Sequence, residues 1–204
     1  MNAAAWQAQS LALGYPDPAL VDRVPLLRAV AAALPEPVAA PLTPFLDHVE
    51  ATPVTALAAD YVATFDHRKR FSPYLTYFAY GDTRKRGMAL LRFKHAYRAA
   101  GLEPDDGELP DHLAVVLEFA ATGDADVGRR LLLEHRAGLE LMRLGLVEAR
   151  SPWAGVLESV SATLPPLAGR DHEAVARLAA QGPPEEEVGL APFAPPEFMP
   201  GGRR

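Results

Sequence analysis

Residues 60–101 read DYVATFDHRKRFSPYLTYFAYGDTRKRGMALLRFKHAYRAAG, and the spacing of large apolar residues within and just before this stretch decides the fold class. Counting from Val54, the residues Leu57, Ala58, Tyr61, Val62 and Phe65 lie 3, 4, 7, 8 and 11 positions on. A helix turns once in about 3.6 residues, so all six share one face. The basic run at 68–70 interrupts that face. Ser72 followed by Pro73 then reads as the N-cap and first turn of a second helix, on which Tyr74, Tyr77 and Phe78 share a side. Gly81 and Asp82 break the pattern again. Over residues 83–100 a third helix is predicted, with Leu90, Phe93 and Tyr97 as its buried stripe, basic residues on its other faces and Gly101 as its C-terminal cap.

Working outward, the same rules place helices on both sides. Residues 2–13 are good helix formers, with Asn2 as N-cap and Gly14 and Pro16 as a stop. Asp17 and Pro18 open a helix that is apolar at helical intervals over 19–34, although Pro25 must kink or split it. Five prolines between 35 and 53 leave room only for a short helix over 45–51. On the other side, Leu109, Leu113, Val116, Leu117 and Ala120 repeat at helical spacing as far as Gly123. A long helix over 124–149 follows, with the stripe Leu131, Leu132, His135, Leu139, Met142 and Leu146. Ser151 and Pro152 start another through Leu164, and Asp171 opens a last one to Ala180. No apolar/polar alternation bounded by turn residues occurs. The expectation is an all-α, compact, single-domain multi-helix bundle over residues 1–181. Residues 182–204 hold six prolines and little to build a core, and read as a disordered tail.

Composition narrows the function classes. With 204 residues, 49% hydrophobic and 23% charged, the chain can bury a real core. The absence of cysteine excludes disulfides and thiolate-ligated metal sites and favours a reducing compartment. The N-terminal residues lack a basic stretch followed by a long apolar run, and nothing approaches the ~18 apolar residues of a membrane span. A cytoplasmic protein without membrane insertion is expected. The net charge of -6 conceals a segregation: residues 66–98 carry nine Lys/Arg against Asp66 and Asp82, leaving 11 basic and 24 acidic residues elsewhere. An acidic chain without a nucleic-acid-binding motif argues against a nucleic-acid partner.

Three sets of side chains are candidates for function, each with a plainer alternative. Tyr61, Phe65, Tyr74, Tyr77 and Phe78 can line an apolar groove that accepts one face of an amphipathic helix, or they can simply pack the core. Glu108, Asp111 and His112 place carboxylates and an imidazole within one turn, which suits proton transfer in a hydrolase. After Pro110, however, Asp111 is also an ordinary stabiliser of a helix N-terminus. Metal binding would need a further ligand at recognisable spacing. The basic residues Arg68, Lys69, Arg70, Arg84, Lys85 and Arg86 can meet phosphates, as in a protein that handles a nucleotide cofactor directly. Alternatively Arg84 or Arg86 turns inward and braces the loop against Asp66, Asp82 or Asp111, with Gly81 and Gly87 allowing sharp turns.

The order of motifs YVATFD, RKR, YLTYFAYGDTRKRG, ALLRFKHAYRAAG and ELPDHLAVVLEFAA resembles the nitrate reductase molybdenum cofactor assembly chaperones, the NarJ type, within the TorD-like family of redox-enzyme maturation proteins. The likeness covers roughly residues 10–165 and departs at Phe71, Ser72 and Pro73, where the family has a shorter residue before the serine and no proline after it. It implies an all-helical, cytoplasmic protein that is not an enzyme and holds no cofactor of its own. Such a chaperone binds the N-terminal segment of the apo catalytic (alpha) subunit of respiratory nitrate reductase. It assists insertion of bis-molybdopterin guanine dinucleotide, which it meets only transiently, together with molybdenum cofactor biosynthesis proteins and before membrane attachment. Carried over by position, the family's groove aromatics match Tyr61 and Phe65, then Tyr74 and Phe78, while its Glu-x-Pro-Asp-His motif matches Glu108, Pro110, Asp111 and His112. On that resemblance, Asp111 and His112 belong to the peptide-binding surface and His112 makes binding depend on pH.

Overall fold

The computed structural model describes residues 2–103 and 107–182. The stretch expected to be a disordered tail lies, beyond Gly182, outside the described residues. Twelve α-helices run in chain order among them: α1 (Ala3–Leu13), α2 (Pro18–Ala32), α3 (Glu36–Ala39), α4 (Leu42–Ala51), α5 (Val54–Tyr61), α6 (Leu75–Tyr80), α7 (Arg84–Ala99), α8 (Leu113–Thr122), α9 (Ala125–Glu134), α10 (Arg136–Glu148), α11 (Ala154–Ala162) and α12 (Gly169–Gln181). A π-helical turn, Val62–Asp66, prolongs α5, and a 3-10 turn, Lys69–Phe71, precedes α6. No strand occurs among the described residues, where extended pairing is limited to one antiparallel bridge between Tyr74 and His112. The fold is all-α, as the periodicities predict.

The centre of the bundle is formed by α8, α10 and α11, whose Val116, Leu117, Leu139, Met142, Leu146, Val156, Leu157 and Val160 are fully shielded from solvent. α1 lies along α8, and α2 packs on α1 and α4. Polar side chains tie distant segments across this core. The Trp6 indole donates to Thr163 Oγ1 at 3.0 Å, Gln9 Nε2 to Ser159 Oγ at 2.8 Å, and Ser159 Oγ in turn to the Val38 carbonyl at 2.7 Å. Glu140, also buried, accepts from Arg136 at 2.8 Å, Arg143 at 2.6 Å and Ser161 at 2.6 Å, so its charge is paired and hydrogen-bonded on both oxygens.

Several boundaries differ from the sequence-based expectation, each for a tertiary reason. α2 runs through Pro25 as a single helix: Leu20, Val24, Leu27 and Ala31 bury on one side, which offsets a lost hydrogen bond costing about 3 kcal/mol. α4 begins at Leu42 rather than Phe45, since Pro44 falls in the first turn, where an amide hydrogen has no intrahelical partner anyway. The helix expected over 124–149 is interrupted at His135, with φ -106° and ψ 18°. The break lets α9 lie on α8 while α10 turns to meet α6, α11 and α12. α6 starts at Leu75, so Ser72 and Pro73 form an extended lead-in rather than a first turn. Leu109 is 40% exposed and lies outside α8. Asn2 occupies the N-cap position of α1 without capping it, its amide donating instead to the Thr163 carbonyl at 3.0 Å.

Candidate functional site

Residues 72–76 lie antiparallel to residues 110–113. The Leu113 amide donates to the Pro73 carbonyl at 2.8 Å, and the Leu75 amide to the Asp111 carbonyl at 3.0 Å. This pairing carries Asp111, completely buried, to the start of α6, where its Oδ2 accepts from the Thr76 amide at 3.1 Å and the Thr76 hydroxyl at 2.5 Å. Asp111 therefore does not stabilise the helix that follows it in sequence; it caps α6, 35 residues upstream. Arg86 turns inward from α7 onto the same group: Nε donates to Thr76 Oγ1 at 3.1 Å, Nη2 lies 3.6 Å from Asp111 Oδ2, Nη1 lies 3.5 Å from Asp82 Oδ1, and the guanidinium stands 5.3 Å from the Tyr74 ring centre. Gly81, at φ 59°, makes the turn before α7, whereas Gly87 lies inside that helix and turns nothing.

His112 is the N-cap of α8. Its Nδ1 accepts from the Ala114 amide at 3.2 Å and its ring meets Tyr74 edge to face at 5.3 Å. Burial holds the imidazole below its ordinary pKa, against the smaller opposing pull of Glu108, Asp111 and Asp66. It is neutral near pH 7, with the proton on Nε2. Tyr74 donates to Glu108 Oε1 at 3.0 Å, and burial with the nearby Glu108 pushes its phenol up to about 12. Pro110 presents its carbonyl to the Tyr97 hydroxyl at 2.5 Å. In a hydrolase, Asp111 and His112 would have to face a substrate; here the carboxylate caps α6 and the imidazole caps α8. Among the described residues no group of His, Cys, Asp and Glu could hold a metal ion.

The aromatic residues divide. Tyr61 and Phe65 do not line an open groove in this conformation. Both are buried beside Trp153, at 5.7 and 5.5 Å between ring centres, with Phe45 at 6.1 Å from the indole, and the Tyr61 hydroxyl is satisfied by the Leu13 carbonyl at 3.0 Å. Tyr77 and Phe78 of α6 are also buried, but each forms part of the floor of a surface cleft. Phe78 reaches its position because residue 138 on α10 is glycine: a Cβ there would stand 2.6 Å from Phe78 Cβ. A cleft of about 320 Å³ lies between Leu75, Phe78, Ala137 and Gly138 on one wall and Ala174 and Leu178 of α12 on the other, with Glu134 and Arg177 also in its lining. A second, of about 440 Å³, is bounded by Tyr77, Leu141, Leu144 and Gly145 and again by Leu178.

The first basic run folds back on the protein. Arg70 pairs with Glu148 at 2.7 Å and stacks over Phe71 at 4.7 Å, Arg68 stands 6.0 Å from the same ring, and Lys69 pairs with Asp82 at 3.0 Å. Arg84 and Lys85 are exposed on α7. No helix among the described residues is long and apolar enough to cross a membrane. Sequence reasoning missed Thr76 and Trp153, whose roles rest on long-range contacts, and Gly138, whose only trace is a helix-weakening residue inside a strongly periodic stretch.

The model of the nitrate reductase delta subunit family matches residues 31–158. The nitrate reductase-like protein NarX of Mycobacterium tuberculosis is 48% identical over 113 residues, 55% of this chain and 17% of that protein. The probable nitrate reductase molybdenum cofactor assembly chaperone NarJ of Bacillus subtilis is 34% identical over 116 residues, 57% of this chain and 63% of its own length. The nitrate reductase molybdenum cofactor assembly chaperone NarJ of Escherichia coli is 34% identical over 112 residues, 53% of this chain and 48% of its own. The chain thus spans less than two thirds of each of these relatives. The family match takes in α3 to α10 complete, including the paired segments, the caps built by Asp111 and His112 and the wall of α6 and α10, and on that ground this chain belongs to the nitrate reductase delta subunit family.

Proposed function

We propose that this protein is an assembly chaperone, not a catalyst, for respiratory nitrate reductase. It captures the N-terminal segment of the apo catalytic subunit as an amphipathic helix and holds the subunit receptive in the cytoplasm until the molybdenum cofactor, supplied by its biosynthesis proteins, is inserted ahead of membrane attachment. The observation that carries the reading is the apolar wall of α6 and α10 at the edge of two clefts, where the buried Leu75, Tyr77 and Phe78 lie behind the half-buried Leu141 and the exposed Leu144. Membership of the family and the names of two relatives point the same way. Helix-in-groove recognition needs an apolar trough, and the charges at its edge are of both signs, Glu134 with Arg177 and Glu148 with Lys69 and Arg70. Tyr61 and Phe65 support the wall from within, and the segment from Glu108 to His112 fixes the start of α6.

Calorimetric titration with a synthetic peptide of the first ~20 residues of the catalytic subunit tests this. Leu144→Asp alters an exposed side chain on the cleft and is expected to weaken binding roughly tenfold or more, the equivalent of losing one buried aliphatic contact. Unchanged affinity in this variant removes the wall as the site. A second reading, direct contact of the cofactor's phosphates with the basic segment, is favoured by the six Lys/Arg and absence of acids in α7. Charge reversal of Arg84 and Lys85 separates the two: it abolishes binding of a guanine-nucleotide probe in the second reading and leaves peptide affinity nearly intact in the first.

A further inference from the structure

α12 is the least buried of the longer helices. None of its residues is buried; Asp171, Ala174, Val175 and Leu178 are half-buried and form a single stripe at spacings of three and four. It rests on α10, tethered through residues 165–168, which include Pro165 and Pro166. The wall beneath it is wider than the helix, since the two clefts open on either side of Leu178. Toward the smaller cleft α12 offers Ala174, which leaves about 320 Å³ unfilled against Phe78 and Gly138. A larger apolar side chain at that position would cover more of the wall, and each Å² of apolar surface removed from water stabilises by roughly 25 cal/mol.

We infer that α12 is an internal occupant of the partner's seat, and that the client helix binds by displacing it. The inference rests on the peptide-binding reading above and adds how that site is regulated and what fits it. The occupant is an amphipathic helix with large aliphatic or aromatic residues four positions apart, where α12 carries only Ala174 and Leu178. The charges bordering the clefts are already balanced, Glu134 by Arg92 and Glu148 by Arg70, so the apolar face decides the competition. A helix with bulkier apolar residues therefore gains over α12. While α12 is docked, the apolar wall is screened from unrelated partners, and only a segment that outbids it gains entry.

The full-length chain tests this with two variants. Leu178→Asp removes the main apolar contact of α12 without altering the wall, and Ala174→Leu fills the smaller cleft from α12's side. If α12 is docked about nine-tenths of the time, the catalytic-subunit peptide is expected to bind Leu178→Asp roughly tenfold more tightly than the unaltered chain and Ala174→Leu several-fold more weakly. A synthetic peptide of residues 169–181 is expected to bind the Leu178→Asp chain and to be expelled by the catalytic-subunit peptide. Equal affinity for the catalytic-subunit peptide in all three chains overturns displacement and leaves peptide binding standing. Absence of binding in all three, with circular dichroism confirming the fold, overturns both.

Discussion

Two regions border the same wall of α6 and α10 and are held by different forces. Where residues 72–76 pair with 110–113, every contact is directional: a buried carboxylate on a helix start, an inward arginine and an imidazole cap, with the hydrogen bonds at 2.5 to 3.2 Å. Helix α12 meets the wall through one half-buried stripe, Asp171, Ala174, Val175 and Leu178, with a cleft on either side of Leu178. Hydrogen bonds in a low-dielectric interior admit one geometry and are costly to leave unmade, whereas half-exposed apolar contact tolerates departure and return. The first region sets where α6 begins and thus where Tyr77 and Phe78 stand. The second governs what reaches them.

The contrast breaks most severely at Asp111. Asp111→Ala strips acceptors from the Thr76 amide, the Thr76 hydroxyl and Arg86. It is expected to cost about 3 kcal/mol in urea unfolding; a loss below about 1 kcal/mol would mean that the network does not hold α6. Gly138→Ala comes next, because its Cβ would stand 2.6 Å from that of Phe78. A loss of about 1–3 kcal/mol is expected, together with weakened peptide binding from a displaced aromatic wall.

The pH dependence of stability sharpens the comparison further. Burial lowers the pKa of both His112 and His135 below the ordinary 6.5, so the unfolded chain takes up protons at a higher pH than the folded one. Their stabilising contribution is therefore complete above pH 6.5 and is lost as pH falls through 6.5 toward the depressed folded values. Urea midpoints at pH 7.5 and 5.5 are expected to fall with pH, and His112→Asn, which keeps an N-cap acceptor, to shrink the fall. A flat profile would place these imidazoles in water. Leu178→Asp is expected to change global stability by less than about 1 kcal/mol, since it removes only a half-buried contact. A larger loss would make α12 part of the core. Smallest of all, Arg92→Ala breaks the exposed pair with Glu134 at 2.9 Å and should move the midpoint by no more than about 0.5 kcal/mol.

Much of the helical order was legible because local rules carry it. Leu57, Tyr61 and Phe65 do share a buried face, Asp17 caps α2 by accepting from the Leu20 amide at 2.9 Å, and the basic segment is where the spacing of charges put it. The candidate site was legible in its residue types and not in its arrangement. Asp111, Thr76 and Arg86 are separated by 35 and 10 positions along the chain, and no local pattern links them. The break at His135 is equally silent in sequence, because the apolar stripe of 124–149 continues through it and only the partners of α9 and α10 require the turn. By itself the sequence determined that the chain is helical, which face of each helix is apolar and where positive charge collects, since periodicity and charge are properties of neighbouring residues. Tertiary structure alone decided that Tyr61 and Phe65 pack on Trp153 while the equally buried Tyr77 and Phe78 form the floor of two clefts, and that Asp111 caps a helix other than its own. Periodicity marks a surface that must be hidden from water; what hides it depends on which distant segment arrives there.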